Sequence, residues 1–364
     1  MQVTIVGLPG SGKTTVFNAL TGGHAETGGF SSGRAAPNVG VVKVPDERLD
    51  ALSALFSPRK TTPADVTYVD VALPAGATRE GTVAPDVLSM IRNADALLHV
   101  ARAFDDPTAV AATNPWGDVE ELDLEFVVAD LTVVQKRLEK LRTSGRHGSP
   151  TEREQNALEE ELLARVQPHL GGGAPLRAFP LDDDEERRLR GFRFLTQKPV
   201  LVILNIGEED LPQAAAMEAE GKSRISQPRS DMAVMAAQIE AEIAQLSAED
   251  AAPFMEDLGI AEASRGRIIR LTYALLGLFS FFTAGEDECR AWTLLTGDTA
   301  VDAAGAIHSD LARGFIRAEV VTYEDLMSAG SMAEARKRGV LRSEGKMYAV
   351  KDGDVIQVLF NVAR

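Results

Sequence analysis

Gly7-Leu8-Pro9-Gly10-Ser11-Gly12-Lys13-Thr14 stands between the short apolar run Val3-Thr4-Ile5-Val6 and the segment Thr15-Val16-Phe17-Asn18-Ala19-Leu20. Strand, glycine loop and helix follow one another as a Walker A phosphate-binding loop requires. The glycines let the backbone wrap an anion and aim its N–H groups inward. Gly10, Ser11, Gly12, Lys13, Thr14 and Thr15 are the candidate nucleotide-binding residues. Lys13 brings a positive charge for the β- and γ-phosphates, and the Thr14 hydroxyl can join the shell of Mg²⁺. The following helix adds its positive N-terminal end. The loop selects a nucleoside phosphate and leaves open the base and the fate of the γ-phosphate.

Beyond the loop, strands are expected at Gln2–Val6, Thr67–Val71, Leu97–Val100 and Val200–Leu204, with helices between them. That alternation predicts an α/β fold with a doubly wound, mainly parallel sheet. Two segments rich in small and polar residues, Thr21 to Arg34 and Pro74 to Thr82, read as loops. Leu124, Val127, Leu131, Val134, Leu138 and Leu141 recur at helical spacing, and Leu158, Leu162 and Val166 form a second stripe after the break Ser144–Pro150. Two such helices predict an antiparallel coiled-coil arm, ended by Gly171-Gly172-Gly173 and followed by a short helix near Asp184 to Leu195. From Ser280 onward strands are expected at Cys289–Leu295, Ile316–Thr322, Lys346–Val350 and Val355–Asn361, with a helix at Thr299–Asp310. This is the pattern of a small β-grasp module. The expected domains are a nucleotide-binding domain at 1–121 and 196–279, an inserted helical domain at 122–195, and a terminal module at 280–364.

The chain has 364 residues, 45% of them hydrophobic and 25% charged, with a net charge of −16. An excess of acid on this scale excludes a general basic surface for nucleic acid, so any RNA contact must be local, and no DNA partner is expected. Arg336-Lys337-Arg338 is the best local candidate, with a solvated helix face as the alternative. No apolar stretch approaches a membrane span, and the first residues read as a buried strand rather than a leader, so no membrane partner is expected and the cytoplasm is the expected location. The single cysteine, Cys289, excludes an intrachain disulfide framework, and the five histidines form no metal-binding pattern.

Two further sites bear on the nucleotide. Asp70 ends the apolar strand Thr67-Tyr68-Val69-Asp70. An acid there can reach the Mg²⁺ shell through water, as a Walker B residue does. Asn205-Ile206-Gly207-Glu208 follows the run Val200–Leu204. A guanine-binding protein would carry Asn-Lys-x-Asp here. The longer acid Glu208 and the replacement of lysine by Ile206 tilt the choice toward adenine, with Asn205, Ile206 and Glu208 around the base.

Longer motifs agree. Gly7-Leu8-Pro9, Pro37-Asn38-x-Gly40-Val41-Val42-x-x-Pro45-Asp46-x-Arg48-Leu49-Asp50, the Asn-x-x-Glu motif, Phe194-Leu195-Thr196-x-Lys198-Pro199, Phe282-Thr283-Ala284-Gly285-x-x-Glu288-x-Arg290-Ala291-Trp292-Thr293, Gly314-Phe315-Ile316-Arg317-Ala318-Glu319-Val320 and Asp352-Gly353-Asp354-Val355 run in order along the chain. Together they resemble the YchF-type Obg-like ATPases. The resemblance implies a Ras-like P-loop G domain, an inserted coiled-coil arm, a C-terminal TGS domain, ATP with Mg²⁺, and association with the ribosome.

Departures from the family pattern fall near the γ-phosphate. A threonine that closes over Mg²⁺ in the family has no counterpart in Phe30-Ser31-Ser32-Gly33-Arg34-Ala35-Ala36-Pro37. Arg34 takes the aligned place and cannot ligate a cation; Ser32 serves as a metal ligand if the loop shifts. The family's Asp-x-x-Gly reads Asp70-Val71-Ala72-Leu73, with no catalytic glutamine beside it. Arg79 is a conceivable charge stabiliser, and a solvated loop arginine the plainer reading. The expectation is a slowly hydrolysing ATP switch acting on translation, with no catalytic residue assigned. The alternatives are an ATP-binding sensor or scaffold without efficient turnover, and a P-loop kinase, for which no arginine-rich lid is recognisable.

Overall fold

A computed structural model describes residues 1–25, 37–71, 84–107, 112–144, 149–225, 227–260 and 262–361. Its strands are β1 (Gln2–Val6), β2 (Asn38–Lys43), β3 (Lys60–Thr62), β4 (Asp65–Asp70), β5 (Ala96–Ala103), β6 (Val200–Ile206), β7 (Ser230–Met235), β8 (Leu278–Thr283), β9 (Glu288–Leu295), β10 (Phe315–Thr322), β11 (Arg342–Glu344) and β12 (Asp354–Phe360). The chain divides into two compact units, Met1–Gly40 with Thr67–Ile268, and Val41–Val66 with Ile269–Arg364.

The first unit is built on a sheet of order β2-β4-β1-β5-β6-β7. Strands β4, β1, β5, β6 and β7 run parallel, the expected doubly wound arrangement. All seven residues of β6 are buried, because helices cover both faces of a parallel sheet and leave no polar face to alternate. Val200, Val202, Leu204 and Ile206 enter one core with Val6, Leu97, Leu122, Phe126 and Leu195. The chain leaves β1 toward β4 on one side and returns to β5 on the other, so β1 lies at the topological switch point, where the ends of parallel strands leave a crevice.

The helical hairpin consists of Pro115–Ser144 and Pro150–Gly171. Ser149 caps the second helix in a reciprocal box with Glu152, and Pro150 fills its first turn. Val127, Val134, Leu138 and Leu141 pack with Leu162, Leu163, Val166 and Leu170, and Phe194 closes the cluster. The expected stripe needs correction at both ends. Leu124 is 54% exposed, because the first turns of the long helix turn Leu122 and Phe126 onto the sheet instead; Leu158, on the second helix, is 40% exposed. The third helix is also shorter than expected. It covers Asp183–Leu189, then tightens into a turn at Arg190–Phe192, and Arg193 adopts φ 51°.

The second unit has a mixed sheet of order β11-β10-β12-β8-β9-β3, with the helix Ala300–Ile307 supplying Ala300, Ala303 and Ala304 to its core. Lys346–Val350, expected as a strand, is not one. Tyr348 N bonds Gly345 O at 3.2 Å in a turn, and only Ala349 makes a bridge, to Thr299; Arg342–Glu344 supplies the edge strand instead. The strand β3, too short to leave a pattern in the sequence, pairs parallel with β9. Arg48 ties the two halves of this unit: its guanidinium donates to Asp46 at 2.8 Å and to Asp352 at 2.9 Å. The motifs Pro45-Asp46-x-Arg48 and Asp352-Gly353-Asp354 are therefore partners.

Candidate functional site

Gly7–Gly12 leaves the end of β1 and turns directly into the helix Lys13–Thr21. Gly12 is left-handed, with φ 86°, and a Cβ there would stand 2.2 Å from Asn205 Nδ2. Glycine is thus required twice over, by conformation and by space. Gly10 is exposed, Ser11 is buried, and Thr14 and Thr15 are half-buried.

The buried Lys13 ammonium donates to Leu8 O at 2.9 Å. Burial lowers its pKa to about 8, opposed by the charge of Asp70. Asp70 is 4% exposed. Its Oδ2 accepts from Thr14 Oγ1 at 2.9 Å and from Asn38 Nδ2 at 3.2 Å. Its Oδ1 is buried and has no hydrogen-bond partner among the described residues. The hydroxyl of Thr14 spends its proton on the carboxylate, which leaves its oxygen lone pairs open. A buried acceptor without a donor beside an open hydroxyl oxygen fits a hydrated divalent cation: the hydroxyl as a direct ligand, the carboxylate through water.

The other end of the loop is tied differently. Asn205 Nδ2 donates to Ser11 O at 3.0 Å, and its Oδ1 accepts from Ala237 N at 3.1 Å. Ile206 is 3% exposed and belongs to the sheet core. Glu208 is exposed at the start of the short helical turn Glu208–Gln213. Of the three expected base-site residues, one holds the phosphate loop, one faces the core, and one presents its acid to solvent. A cavity of about 400 Å³ lies behind Ile206, lined also by Met235, Ala236, Glu218 and Arg267. Its charged wall is internally paired, because Arg267 binds Glu218 at 2.6 Å.

His99, on β5 beside Val6, is buried, and its Nε2 has no partner among the described residues; burial lowers its pKa to about 4 and keeps the ring neutral. The residues that sequence reasoning missed are Asn38 and Ala237. Asn38 stood inside a quoted motif without a role; Ala237 acts through its backbone, which leaves no trace in composition. Ser32, Arg34, Leu73 and Arg79 lie outside the described residues. Among the described residues no group of three or more His, Cys, Asp or Glu side chains is placed to hold a metal, and no helix is long and apolar enough to cross a membrane.

A glycine loop at the switch point of a parallel sheet, joined to a helix and faced by an acid on the neighbouring strand, defines a P-loop α/β protein. Comparison with known proteins narrows the class. A family model described as a 50S ribosome-binding GTPase matches residues 2–137, and the YchF-GTPase C-terminal model, described as a protein of unknown function, matches residues 278–361. The Bacillus subtilis ribosome-binding ATPase YchF is 39% identical, over 98% of both chains. Its namesake from Escherichia coli O157:H7 is 37% identical, again over 98% of both. The structure of the Schizosaccharomyces pombe YchF GTPase superposes with a TM-score of 0.83 at 28% identity, covering 99% of this chain and 97% of that one. The chain belongs to the YchF family.

Proposed function

We propose that this protein binds ATP with Mg²⁺ in the Gly7–Thr14 loop, hydrolyses it slowly, and acts as a nucleotide-controlled switch on the ribosome in the cytoplasm. The observation that carries the reading is the Asp70 carboxylate, held on one oxygen by Thr14 and Asn38 and, among the described residues, without a donor on the other. The loop amides and Lys13 bind the phosphates, and Lys13 leaves Leu8 O to do so. Thr14, with Asp70 behind it, holds the cation. When bound, Mg²⁺ neutralises charge on the β- and γ-oxygens and so stabilises the transferring phosphoryl group.

The relatives' names differ on the base: the bacterial proteins are named ATPases and the fission yeast structure a GTPase. Ile206 and Glu208 favour ATP. The side chain of Ile206 is committed to the core and offers nothing to the base, and Glu208 is a methylene longer than the aspartate that pairs with guanine. The ribosome is carried over from the relatives' names. The hairpin at 122–195 and the module at 280–364 are the proposed contact domains. A basic contact through Arg336-Lys337-Arg338 has little local support: Arg336 pairs with Glu319, and Lys337 and Arg338 both pair with Glu334.

The test is direct. ATP and GTP binding are measured side by side with a Lys13→Ala control, then phosphate release with and without ribosomes. Tighter GTP binding overturns the base assignment. A second reading, an ATP sensor without turnover, rests on Asp70-Val71-Ala72-Leu73, which has neither the glycine nor a neighbouring glutamine. It predicts ATP binding with phosphate release no faster than the Lys13→Ala control, even with ribosomes present.

A further inference from the structure

We infer that Asn38 is a positioning residue for the cation: it fixes which oxygen of Asp70 is offered to the metal shell. The inference rests on the proposed binding of Mg²⁺ and ATP and adds a residue to that site.

A carboxylate turns easily about its terminal torsion, whose energy is broad and nearly two-fold. A single hydroxyl donor cannot hold it, because the hydroxyl is itself a rotor. Asp70 has two donors on the same oxygen, arriving from different elements. Thr14 Oγ1 comes from the helix that follows the phosphate loop, at 2.9 Å, and Asn38 Nδ2 comes from the first residue of β2, at 3.2 Å. With both on Oδ2, the buried Oδ1, which has no partner among the described residues, is the oxygen left for a metal-bound water.

The placement of Asn38 is built into the fold. Side chains alternate along a strand, so Asn38 and Gly40 share one side of β2; Asn38 and Val39 are both exposed, and it is the Asn38 amide that reaches in to the buried carboxylate. Gly40, on the same side as Asn38, lies so close to the loop helix that a Cβ would stand 2.4 Å from Thr21 Cγ2 and 3.2 Å from Phe17 Cζ. The start of β2 is therefore seated against the helix that carries Lys13 and Thr14. Asn38 and Thr14 converge on one oxygen because their elements are in contact.

The test uses the intact chain and a fluorescent ATP analogue, titrated with Mg²⁺ and referenced to EDTA. Asn38→Leu keeps the side chain's size and removes the donor. It should raise the Mg²⁺ concentration at half-maximal effect by about tenfold, as loss of an outer-shell partner does. Binding in EDTA should stay within about twofold. In an Asp70→Ala background the same substitution should have no further effect, because Asn38 acts only through that carboxylate. Asn38→Gln, which retains a donor, should recover part of the loss. Asn38→Ala gives a second reading if the leucine disturbs folding, checked by circular dichroism. A Mg²⁺ midpoint unchanged in both Asn38→Leu and Asn38→Ala overturns the inference, as does an effect that persists in the Asp70→Ala background. Failure of the unsubstituted protein to bind ATP at all overturns the proposed function, and this inference with it.

Discussion

Asp70 and Asp130 are both nearly removed from solvent, 4% and 0% exposed, yet their surroundings are opposite. Asp130, on the long helix of the hairpin, is saturated. It accepts from Leu195 N at 3.1 Å, Thr196 N at 2.8 Å, Thr196 Oγ1 at 2.9 Å and Arg92 Nη1 at 3.0 Å. Burial raises its pKa, and these donors oppose the rise. Asp70 has two donors on one oxygen and, among the described residues, none on the other. A buried charge that meets all its needs within the protein holds parts together; one that leaves a need unmet is poised for something the chain does not supply. The motif Phe194-Leu195-Thr196-x-Lys198-Pro199 gains a role from the same comparison. Its Leu195 and Thr196 hold Asp130, and Lys198 caps the helix Pro85–Arg92 through Arg92 O and Ala94 O.

The largest expected effect separates the two acids by stability. Asp130→Ala should cost about 3–5 kcal/mol in urea unfolding, because Arg92 and two backbone donors lose their acceptor. Asp70→Ala should stay within about 1 kcal/mol, since the half-satisfied carboxylate takes its own burial cost away with it. Equal losses would break the distinction. Next, Lys13→Ala should weaken ATP binding about 100-fold, read by calorimetry, while the unfolding midpoint barely moves.

A pH effect follows in size. With its folded pKa lowered to about 8, Lys13 must take up a proton to meet the phosphates above that pH. ATP binding should therefore be about tenfold weaker at pH 9 than at pH 7, and flat over that range in Lys13→Arg. Stability moves the other way. The unfolded lysine holds its proton up to its ordinary pKa, so the contribution of Lys13 to stability rises with pH from 8 upward. The smallest effect belongs to the base end. Glu208→Asp, on an exposed side chain, should change stability by less than about 0.5 kcal/mol. It should not by itself confer GTP preference, which ATP and GTP competition would check.

The same contrast explains what the sequence could reveal. Gly7–Thr14 was legible because its loop, charge and hydroxyl are consecutive, and β6 because a strand buried on both faces is an unbroken apolar run. The long-distance partners were not. Asn38 reaches Asp70 across 32 positions and Thr196 reaches Asp130 across 66, and no local pattern encodes such a meeting. The hairpin's periodicity is visible in the sequence, but Leu124, which fits the stripe by spacing, is exposed because one helix serves two cores in turn. The short strand β3 has three residues and too little pattern to register. The tilt toward adenine rests on residue types alone; that Ile206 turns into the core is a property of the fold.

The clasp at Asp130 also determines how the hairpin can change. Chain entering the hairpin and chain leaving it meet at one carboxylate, so everything beyond is a detour that begins and ends in the same place. Paired turns can be inserted into both helices, or removed from both, without asking the sheet to move. The reach of the hairpin is then a separately adjustable dimension of the molecule, a ruler that natural variation or a protein engineer can lengthen while the nucleotide end stays as it is.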